Sequence, residues 1–409
     1  MHMRKRALAG GILVALLAAM PASAADWITT WAASPLPPGV ASPRAPAALA
    51  LNDQTIRQVL HLSAGGKRLR IRLTNEYGAK PLKVGAATVA RLNKDGSVDQ
   101  ASLRTLTFSG KPDALIPAAA PLLSDAIDMP VDELSDISLS LYFPEDTGPC
   151  TCHQIGAQDG FISESGNFTA AAFTPKQTVT FRAFVSGVEV EASRGKTVVV
   201  LGDSISDGVG SSKNTNSRWP DVLARRLNAG RRSWGIANHG ISGNQVLADG
   251  AGQSALARFD RDVLAQSGVA YLIIFEGVND LGISFGNFGG APRPGAGNAP
   301  KATAERMIAA YRQLIARARA RGIKVLGATI APYEGASYWS AEGEANRQQI
   351  NTWIRTGREF DGVLDFDAVL RDPVKPTQIA DGKHAGDHLH GSDAGYLDVG
   401  NSINLKVFQ

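Results

Sequence analysis

The sequence predicts two regions of different fold class: an N-terminal β-sandwich of jelly-roll type over residues 25–193 and a C-terminal α/β domain with a doubly wound parallel sheet over residues 194–409. In the first region, short segments alternate apolar and polar residues, turn residues separate them, and no long amphipathic helix occurs. In the second, strands that are apolar throughout alternate with helices, which is typical of a parallel sheet covered on both faces.

Residues 1–24 have the pattern of an export signal. The basic start MHMRKR is followed by the apolar run ALAGGILVALLAAM and by small residues, PASAA, at the expected cleavage point. The apolar run is shorter than the roughly 20 residues that span a bilayer. We therefore expect a periplasmic or secreted protein without stable membrane insertion.

The charge of the chain does not favour a nucleic-acid partner. The formal net charge is +4, and the expected signal contains Arg4, Lys5 and Arg6, so its removal leaves +1. A surface this close to neutral lacks the excess positive charge that attracts polyanions. The composition does not indicate which oligomeric state the protein has.

The predicted strands of the first region carry no catalytic motif. They are QTIRQVLHLSA, KRLRIRLTN, LKVGAATVARL, DISLSLYF and TVTFRAFVSGVEVEA. The two cysteines, Cys150 and Cys152, are separated by one residue, so a strained bridge and two free thiols both remain open. With His153 they supply three potential zinc ligands, but no fourth lies nearby, and we expect no metal site.

The second region reads as five strands and five helices. The strands are KTVVVLGD, SWGIANHG, VAYLIIFEG, IKVLGATI and DGVLDFD, and the helices cover residues 218–227, 254–266, 303–321, 343–355 and 394–405. Ligands bind such sheets at the carboxyl edge, where the strand order reverses. With the order 2-1-3-4-5, the loops after the first three strands become neighbours.

These three loops contain groups that acyl transfer requires. The first holds Ser204, in VVVLGDSISDG, the second holds Gly243, in NHGISG, and the third holds Asn279, in GVND. Ser204 can offer a hydroxyl and its own backbone N–H, Gly243 a backbone N–H and Asn279 a side-chain N–H. A serine nucleophile needs a general base, and the oxyanion that forms needs fixed donors.

A general base with an orienting acid is found near the C-terminus, in HAGDHLHGSDAGY. Asp387 precedes His390 by three residues. On a tight turn these positions lie on the same side. The carboxylate can then hold one imidazole nitrogen while the other nitrogen faces Ser204.

Four blocks in this order, GDSISDG, the glycine of ISGN, GVND and DHLH, resemble those of the SGNH subgroup of GDSL esterases and lipases. The resemblance implies a flavodoxin-like hydrolase fold with Ser204 as nucleophile. It also implies that Gly243 and Asn279 belong to the oxyanion hole and that Asp387 and His390 complete the triad.

Two further features accompany this resemblance. The first half, from DWITTWAAS through NDQTIRQVLHLSAGGKRLRIRLTN, resembles the β-rich N-terminal region of a two-domain subgroup of aryl- or acylesterases. The last block often reads Asp-x-x-His-Pro in the family, whereas Gly391 replaces the proline here. We expect this glycine to loosen the loop that holds His390 without removing a catalytic group.

Other interpretations of Ser204 are weaker. The glycine-rich GDSISDGVGSS could cradle a phosphate, but no Gly-Lys-Ser/Thr follows, and Asp203 and Asp207 would repel an anion. Ser204 could instead cap the next helix. That role would leave Asn279 and the aspartate–histidine pair without an explanation.

A second serine matches a catalytic pattern. Ser284, in Gly282-Ile-Ser-Phe-Gly286, fits the Gly-x-Ser-x-Gly nucleophile elbow, which needs a strand before it and a helix after it. Because we expect glycine and proline rather than a helix after GVND, Ser284 is not predicted to be the nucleophile. The loop that follows, residues 287–298, is expected to border the site and to gate substrate entry.

Nearby residues receive supporting roles. We expect Asp280 to bind backbone, Asp207 and Trp219 to support the nucleophile loop, and His239 to be satisfied by neighbouring backbone. His153 could act at the site only if the β-sandwich folds over the cleft.

The sequence thus predicts a serine esterase that works through an acyl-enzyme without metal or cofactor. Candidate substrates are short-chain acyl esters, aryl esters and acetyl esters of carbohydrate. The alternatives are a lipase or lysophospholipase, and a glycan-binding protein with an inactive hydrolase domain. The first is less favoured because no long exposed apolar helix is evident, and the second because the set of catalytic residue types is complete.

Overall fold

The computed structural model describes residues 26–38, 49–170, 172–230, 232–286 and 300–409. The predicted export signal and the predicted gating loop, residues 287–298, lie outside the described residues. Within the described ranges, no helix is both long and apolar enough to cross a bilayer.

The first region consists of short β-strands, as predicted. They are β1 (Trp27–Ala32), β2 (Gln54–His61), β3 (Gly66–Asn75), β4 (Leu82–Val84), β5 (Ala86–Arg91), β6 (Arg104–Thr105), β7 (Ala114–Ile116), β8 (Ala120–Leu123), β9 (Ile127–Val131), β10 (Asp136–Phe143), β11 (Cys152–His153), β12 (Gly160–Ser165), β13 (Gln177–Val179), β14 (Arg182–Ala183) and β15 (Val185–Glu191).

Most of these strands form two antiparallel sheets that enclose one core. The order is β1-β15-β3-β8 in one sheet, with β9 also paired to β3, and β13-β12-β2-β10-β5-β6 in the other. Buried residues from both sheets meet in that core, such as Ile71 and Val188 from the first and Ile56 and Leu139 from the second. Strands β1, β2, β3 and β5 alternate between the sheets, as in a jelly roll. The predicted fold class of this region is confirmed.

The second region is the predicted α/β domain. Its five parallel strands are β16 (Lys196–Gly202), β17 (Trp234–Gly240), β18 (Val269–Phe275), β19 (Lys324–Ala328) and β20 (Gly362–Leu364). Their order, β17-β16-β18-β19-β20, is the predicted 2-1-3-4-5. The loops after β16, β17 and β18 therefore lie side by side at the carboxyl edge.

Helices cover both faces of this sheet. They are α1 (Ser204–Asp207), α2 (Trp219–Asn228), α3 (Ala255–Phe259), α4 (Val278–Phe285), α5 (Ala304–Arg319), α6 (Ala341–Thr356), α7 (Phe366–Leu370) and α8 (Asp393–Ser402), and a π-helical turn, Asp260–Leu264, continues α3. Short 3₁₀ helices occur at Gln100–Ser102 and Leu405–Phe408.

The expectation that no helix follows GVND is wrong, because α4 begins within that motif. Val278 and Leu281 of α4 are buried in the domain core, which stabilises the helix. Position 282 suits a glycine because the ring of Tyr338 packs where a larger side chain would lie. Tertiary packing thus overrides the weak helix propensity of the glycine.

Buried polar contacts join the two regions. The Thr29 N–H donates to Oγ1 of Thr197 in β16 (3.0 Å), and the Ile236 N–H of β17 donates to Ser63 Oγ (2.7 Å). A buried polar group that lacks a partner costs about 1–3 kcal/mol. These bonds therefore favour one position of the β-sandwich against the parallel sheet.

Candidate active site

Ser204 lies at the point where β16 ends and α1 begins. Asp203, not Ser204, is the N-cap of α1, and its side chain accepts a hydrogen bond from the Ile205 N–H at 3.0 Å. Ser204 is therefore not needed as a cap, and its hydroxyl is available for another partner.

That partner is His390. The distance from His390 Nε2 to Ser204 Oγ is 2.9 Å, and the distance from His390 Nδ1 to Asp387 Oδ2 is 2.6 Å. The other oxygen, Asp387 Oδ1, accepts the backbone N–H groups of Leu389 (3.1 Å) and His390 (2.9 Å). The three side chains form one continuous hydrogen-bonded chain.

The electrostatic surroundings keep Asp387 ionised. Partial burial acts to raise the pKa of Asp387, but the hydrogen bonds and positive charge that His390 supplies outweigh burial and hold the pKa well below its ordinary value. Asp387 can therefore accept a hydrogen bond from the Nδ1–H group of His390 and stabilise a charged imidazole.

A second aspartate–histidine pair with the same spacing does not reach the serine. His384 Nε2 is 3.9 Å from Asp381, which is exposed to solvent, and His384 Nδ1 accepts the backbone N–H groups of Gly386 (3.0 Å) and His388 (3.3 Å). The ring of His388 lies against that of His384, with centroids 4.2 Å apart. His390 is thus the histidine that the fold places at Ser204.

Backbone contacts hold the loop that carries His390. The Ala385 N–H donates to the His390 carbonyl at 2.8 Å, and His384 pairs with Gly391 in an isolated bridge. A Cβ atom on Gly391 would come within 2.7 Å of the Tyr396 ring. The glycine where the family often has proline therefore allows the close approach of this ring.

Hydrogen bonds hold the chain around the predicted oxyanion-hole residues Gly243 and Asn279. Gly243 adopts φ +80°, a conformation that glycine favours, in a loop tied to β16 by the Ile241 N–H, which donates to the Gly202 carbonyl at 3.0 Å. Asn279 Nδ2 donates to the Asn244 carbonyl at 3.0 Å. An amide nitrogen carries two hydrogens, so Asn279 retains a second N–H.

The backbone donors of the predicted hole are also available. Among the described residues, neither the Ser204 N–H nor the Gly243 N–H donates a hydrogen bond to another protein group. Both residues are carried by rigid local structure, Ser204 by α1 and Gly243 by its bonded loop. Two free backbone donors and one amide donor are what an oxyanion hole requires.

Arg258, a buried residue that the sequence did not single out, connects the end of β16 with β17 and the loop that follows it. Arg258 donates to the carbonyls of Gly202 (3.0 Å) and His239 (2.6 Å) and to Asn244 Oδ1 (3.0 Å). It also pairs with Asp262 at 3.0 Å. In the sequence, the one sign of this role is that Arg258 precedes Asp262 by four residues in the helix predicted over residues 254–266. Only the fold shows that both side chains are buried.

Three carboxyl groups lie beneath the site. Burial raises the pKa of Asp203 and of Asp280 to about 7 and that of Glu276 to about 8. Asp280 accepts the backbone N–H groups of Val246 (2.8 Å) and Leu247 (3.0 Å), which agrees with the backbone-binding role expected for it. With acidic groups buried here, the loop is poorly suited to hold a phosphate.

The environment of His239 differs from the one expected. Its Nδ1 lies 3.0 Å from the Ser34 hydroxyl of the first region rather than against neighbouring backbone. The Ser34 hydroxyl donates to Asp262 (2.9 Å), so His239 Nδ1 is the donor to Ser34. Burial lowers the pKa of His239 to about 4, and the ring is neutral at neutral pH.

The remaining candidate residues have other partners. Cys150 and Cys152 are joined by a disulfide. Within the described ranges, no group of three or more His, Cys, Asp or Glu side chains could hold a metal ion.

Ser284 lies in α4, where its Oγ accepts the Ala302 N–H at 3.0 Å. The buried Trp219 packs edge-on against aromatic rings beneath the sheet edge.

Part of the chain matches a known protein family. Residues 200–397 match the sequence model of the GDSL-like lipase/acylhydrolase family. This segment belongs to that family. The GDSL-like segment contains Ser204, Gly243, Asn279, Asp387 and His390, whereas the match does not extend to the β-sandwich, for which the subgroup resemblance stays a prediction.

Solved structures similar to part of this chain come from several bacteria. An acetyl xylan esterase from Geobacillus stearothermophilus is 20% identical, with 52% of this chain and 94% of that chain covered and a TM-score of 0.40. A lipase/acylhydrolase from Enterococcus faecalis is 18% identical, with 51% and 92% covered and a TM-score of 0.38. A GDSL-like lipase from Bacteroides thetaiotaomicron is 18% identical, with 52% and 88% covered and a TM-score of 0.37. No curated protein matches the chain.

Proposed function

We propose that the GDSL-like domain hydrolyses carboxylic esters through an acyl-enzyme, with Ser204 as nucleophile, His390 as general base and Asp387 as the orienting acid. The observation that supports this most strongly is the hydrogen-bonded chain from Asp387 through His390 to Ser204, with distances of 2.6 Å and 2.9 Å. Family membership supports ester hydrolysis as the reaction class.

In the acylation step, His390 Nε2 takes the proton from Ser204 as Oγ attacks the ester carbonyl carbon. The imidazolium that forms is stabilised by the Asp387 carboxylate, which stays ionised. The tetrahedral intermediate then collapses, the bond from carbon to the alcohol oxygen breaks, and His390 donates its proton to the leaving alcohol. The acyl group remains on Ser204.

In the deacylation step, His390 removes a proton from water, and the resulting hydroxide equivalent attacks the acyl carbon. Collapse of the second tetrahedral intermediate releases the carboxylic acid, and the proton returns to Ser204. The negative charge in both intermediates is placed on the carbonyl oxygen, which we assign to the N–H groups of Ser204, Gly243 and Asn279. Each such donor contributes roughly 3 kcal/mol to transition-state stabilisation.

The proposed substrates are short-chain acyl or aryl esters, with acetyl esters of carbohydrate included, and the proposed location is the periplasm or the outside of the cell. The location follows from the export-signal pattern of residues 1–24. Secretion of the full chain and N-terminal sequencing of the product would test it.

The test of the function compares the wild type with Ser204→Ala and, as a matched control, Ser284→Ala, which alters the other serine in a catalytic-looking pattern. We expect hydrolysis of p-nitrophenyl acetate to fall by at least about 10⁴-fold in Ser204→Ala and to be unchanged in Ser284→Ala. A Ser204→Ala protein with full activity would overturn the proposal.

The substrate class is tested on the same purified protein with p-nitrophenyl esters of rising chain length, acetylated xylan and a phospholipid. We expect acetyl and other short-chain esters to be cleaved most rapidly. A preference for long acyl chains or phospholipid would contradict the short-chain assignment and favour a lipase. Binding to xylan without hydrolysis of any ester would favour the glycan-binding alternative.

A further inference from the structure

The β-sandwich contacts the helix that carries Ser204 through His153, the last residue of β11. His153 Nε2 lies 2.9 Å from Asp207 Oδ1, and Asp207 is the last residue of α1, three positions after Ser204. The side chains are 5% and 3% exposed, so water does not screen the contact. The disulfide between Cys150 and Cys152 constrains the chain immediately before this histidine.

The hydrogen-bond partners fix where the protons of His153 can be. Its Nδ1 lies 2.9 Å from the Ser34 carbonyl, which can only accept, so Nδ1 carries a hydrogen. One further proton must lie between Nε2 and Asp207 Oδ1, because two lone pairs would otherwise face each other. The pair therefore shares a proton in a buried hydrogen bond, whichever of the two atoms holds it.

The other carboxylate oxygen of Asp207 is bound to the oxyanion loop. Asp207 Oδ2 accepts both the backbone N–H of Ser242 (3.0 Å) and the Ser242 hydroxyl (2.8 Å). Ser242 immediately precedes Gly243, whose N–H is assigned to the oxyanion hole. A single carboxylate thus connects the first region, the nucleophile helix and the oxyanion loop.

We propose that His153 is a positioning residue of the esterase site, through which the β-sandwich sets the orientation of Asp207 and thereby the position of the Gly243 N–H. This inference rests on the proposed ester hydrolysis. An oxyanion donor acts only when it is held within hydrogen-bonding distance of the developing charge. Without His153, Asp207 Oδ1 would lose the donor that it has among the described residues, and the carboxylate could turn and shift its bonds to Ser242.

The test uses two substitutions, each of which keeps the hydrogen bond of only one of the two ring nitrogens of His153. In His153→Asn, the amide nitrogen lies near the former Nδ1 and can still reach the Ser34 carbonyl, but the side chain cannot reach Asp207. In His153→Gln, the amide nitrogen lies near the former Nε2 and can still donate to Asp207. Activity is measured with p-nitrophenyl acetate, and active sites are counted by covalent titration of Ser204 with a phosphonofluoridate.

We expect kcat per titrated site to fall about 10- to 100-fold in His153→Asn, with KM changed less than about 3-fold, because a small misplacement of a donor affects the transition state more than substrate binding. His153→Gln should recover most of the lost kcat. A purely structural role would lower thermal stability in His153→Asn but leave kcat per titrated site at the wild-type value.

The matched control is His61→Asn. His61 in β2 also pairs with an aspartate of the β-sandwich, Asp136, at 2.6 Å, but is not in contact with Asp207. We expect His61→Asn to leave kcat within about 2-fold of the wild type.

Two outcomes overturn separate claims. If the wild type cleaves no ester, or if Ser204→Ala stays active, the proposed function fails. If the wild type is active and Ser204-dependent but His153→Asn retains wild-type kcat, the role of His153 fails alone. Should His153→Asn not fold, His153→Leu, which also removes the donor to Asp207, is measured instead, and a wild-type kcat per titrated site in that variant would equally overturn the inference.

Discussion

Asn279 Nδ2 donates a 3.0 Å hydrogen bond to the carbonyl of Asn244, so the start of α4, which follows β18, is fastened to the loop after β17 beside Gly243. This bond holds the Asn279 amide in one orientation, with its second N–H free for another acceptor. The same side chain is therefore both a link between loops and a donor to the site.

We expect Asn279→Ala to lower kcat by about 10²–10³-fold with little change in KM, because the lost donor acts mainly in the transition state. Steady-state kinetics with p-nitrophenyl acetate would measure both constants. Asn404→Ala, which alters an asparagine that caps the last 3₁₀ helix far along the chain, serves as the control and should retain wild-type kcat. A fall in kcat below about 3-fold for Asn279→Ala would contradict the assigned role.

Replacement of Asp387 by asparagine should lower kcat by about 10⁴-fold, because the amide cannot stabilise the imidazolium and favours the wrong tautomer of His390. Asp381→Asn is the matched control, since Asp381 has the same spacing from His384 but does not reach Ser204. We expect Asp381→Asn to be as active as the wild type. Equal losses in the two variants would show that the choice of pair is wrong.

The stability of the protein should depend on the ionisation of Glu276. Burial raises its pKa to about 8, so the stability that depends on the protonated form is present below the ordinary glutamate pKa of about 4.3 and is lost as the pH rises through about 8. Glu276→Gln does not titrate. We expect the variant to gain on the wild type by about 4 kcal/mol between pH 5 and pH 9 in urea denaturation, because the wild type loses about 1.4 kcal/mol for each pH unit from pH 5 to about pH 8.

The control for this pH dependence is Glu342→Gln, at an exposed position that pairs with Lys301 at the surface. Its free energy of unfolding relative to the wild type should not change over the same pH range. A difference between Glu276→Gln and the wild type that is flat, or that shrinks as the pH rises, would contradict the predicted sign.

Substitution of the buried Arg258 by methionine should destabilise the fold by about 3–5 kcal/mol, because it leaves carboxylates and carbonyls beneath the site without their donor. Arg312→Met removes an exposed pair with Glu359 and should cost less than about 1 kcal/mol. Denaturation midpoints and slopes for both variants would measure this contrast. Similar losses in the two variants would argue against Arg258 as the link between loops.

Much of the fold could be predicted because its signals are local. The strands of the parallel sheet are apolar throughout and alternate with helices, which predicts a parallel sheet. With the order 2-1-3-4-5 taken as a condition, Ser204, Gly243 and Asn279 were predicted to be neighbours. Helix α4 was missed because its stability depends on packing against Tyr338, which lies far along the chain. Its glycine and its short length hid it from a propensity argument.

The sequence by itself determined the two fold classes and the residue types of the candidate site, and the strand order came from the structure. The motif predicted His390 as the base, and only the tertiary structure showed that His384, which also follows an aspartate by three residues, does not reach Ser204. It alone showed that Arg258 lies beneath the three loops and that His153 reaches Asp207. The physical reason is that these contacts join residues distant in sequence, whose distances and burial are fixed by how the β-sandwich and the parallel sheet pack.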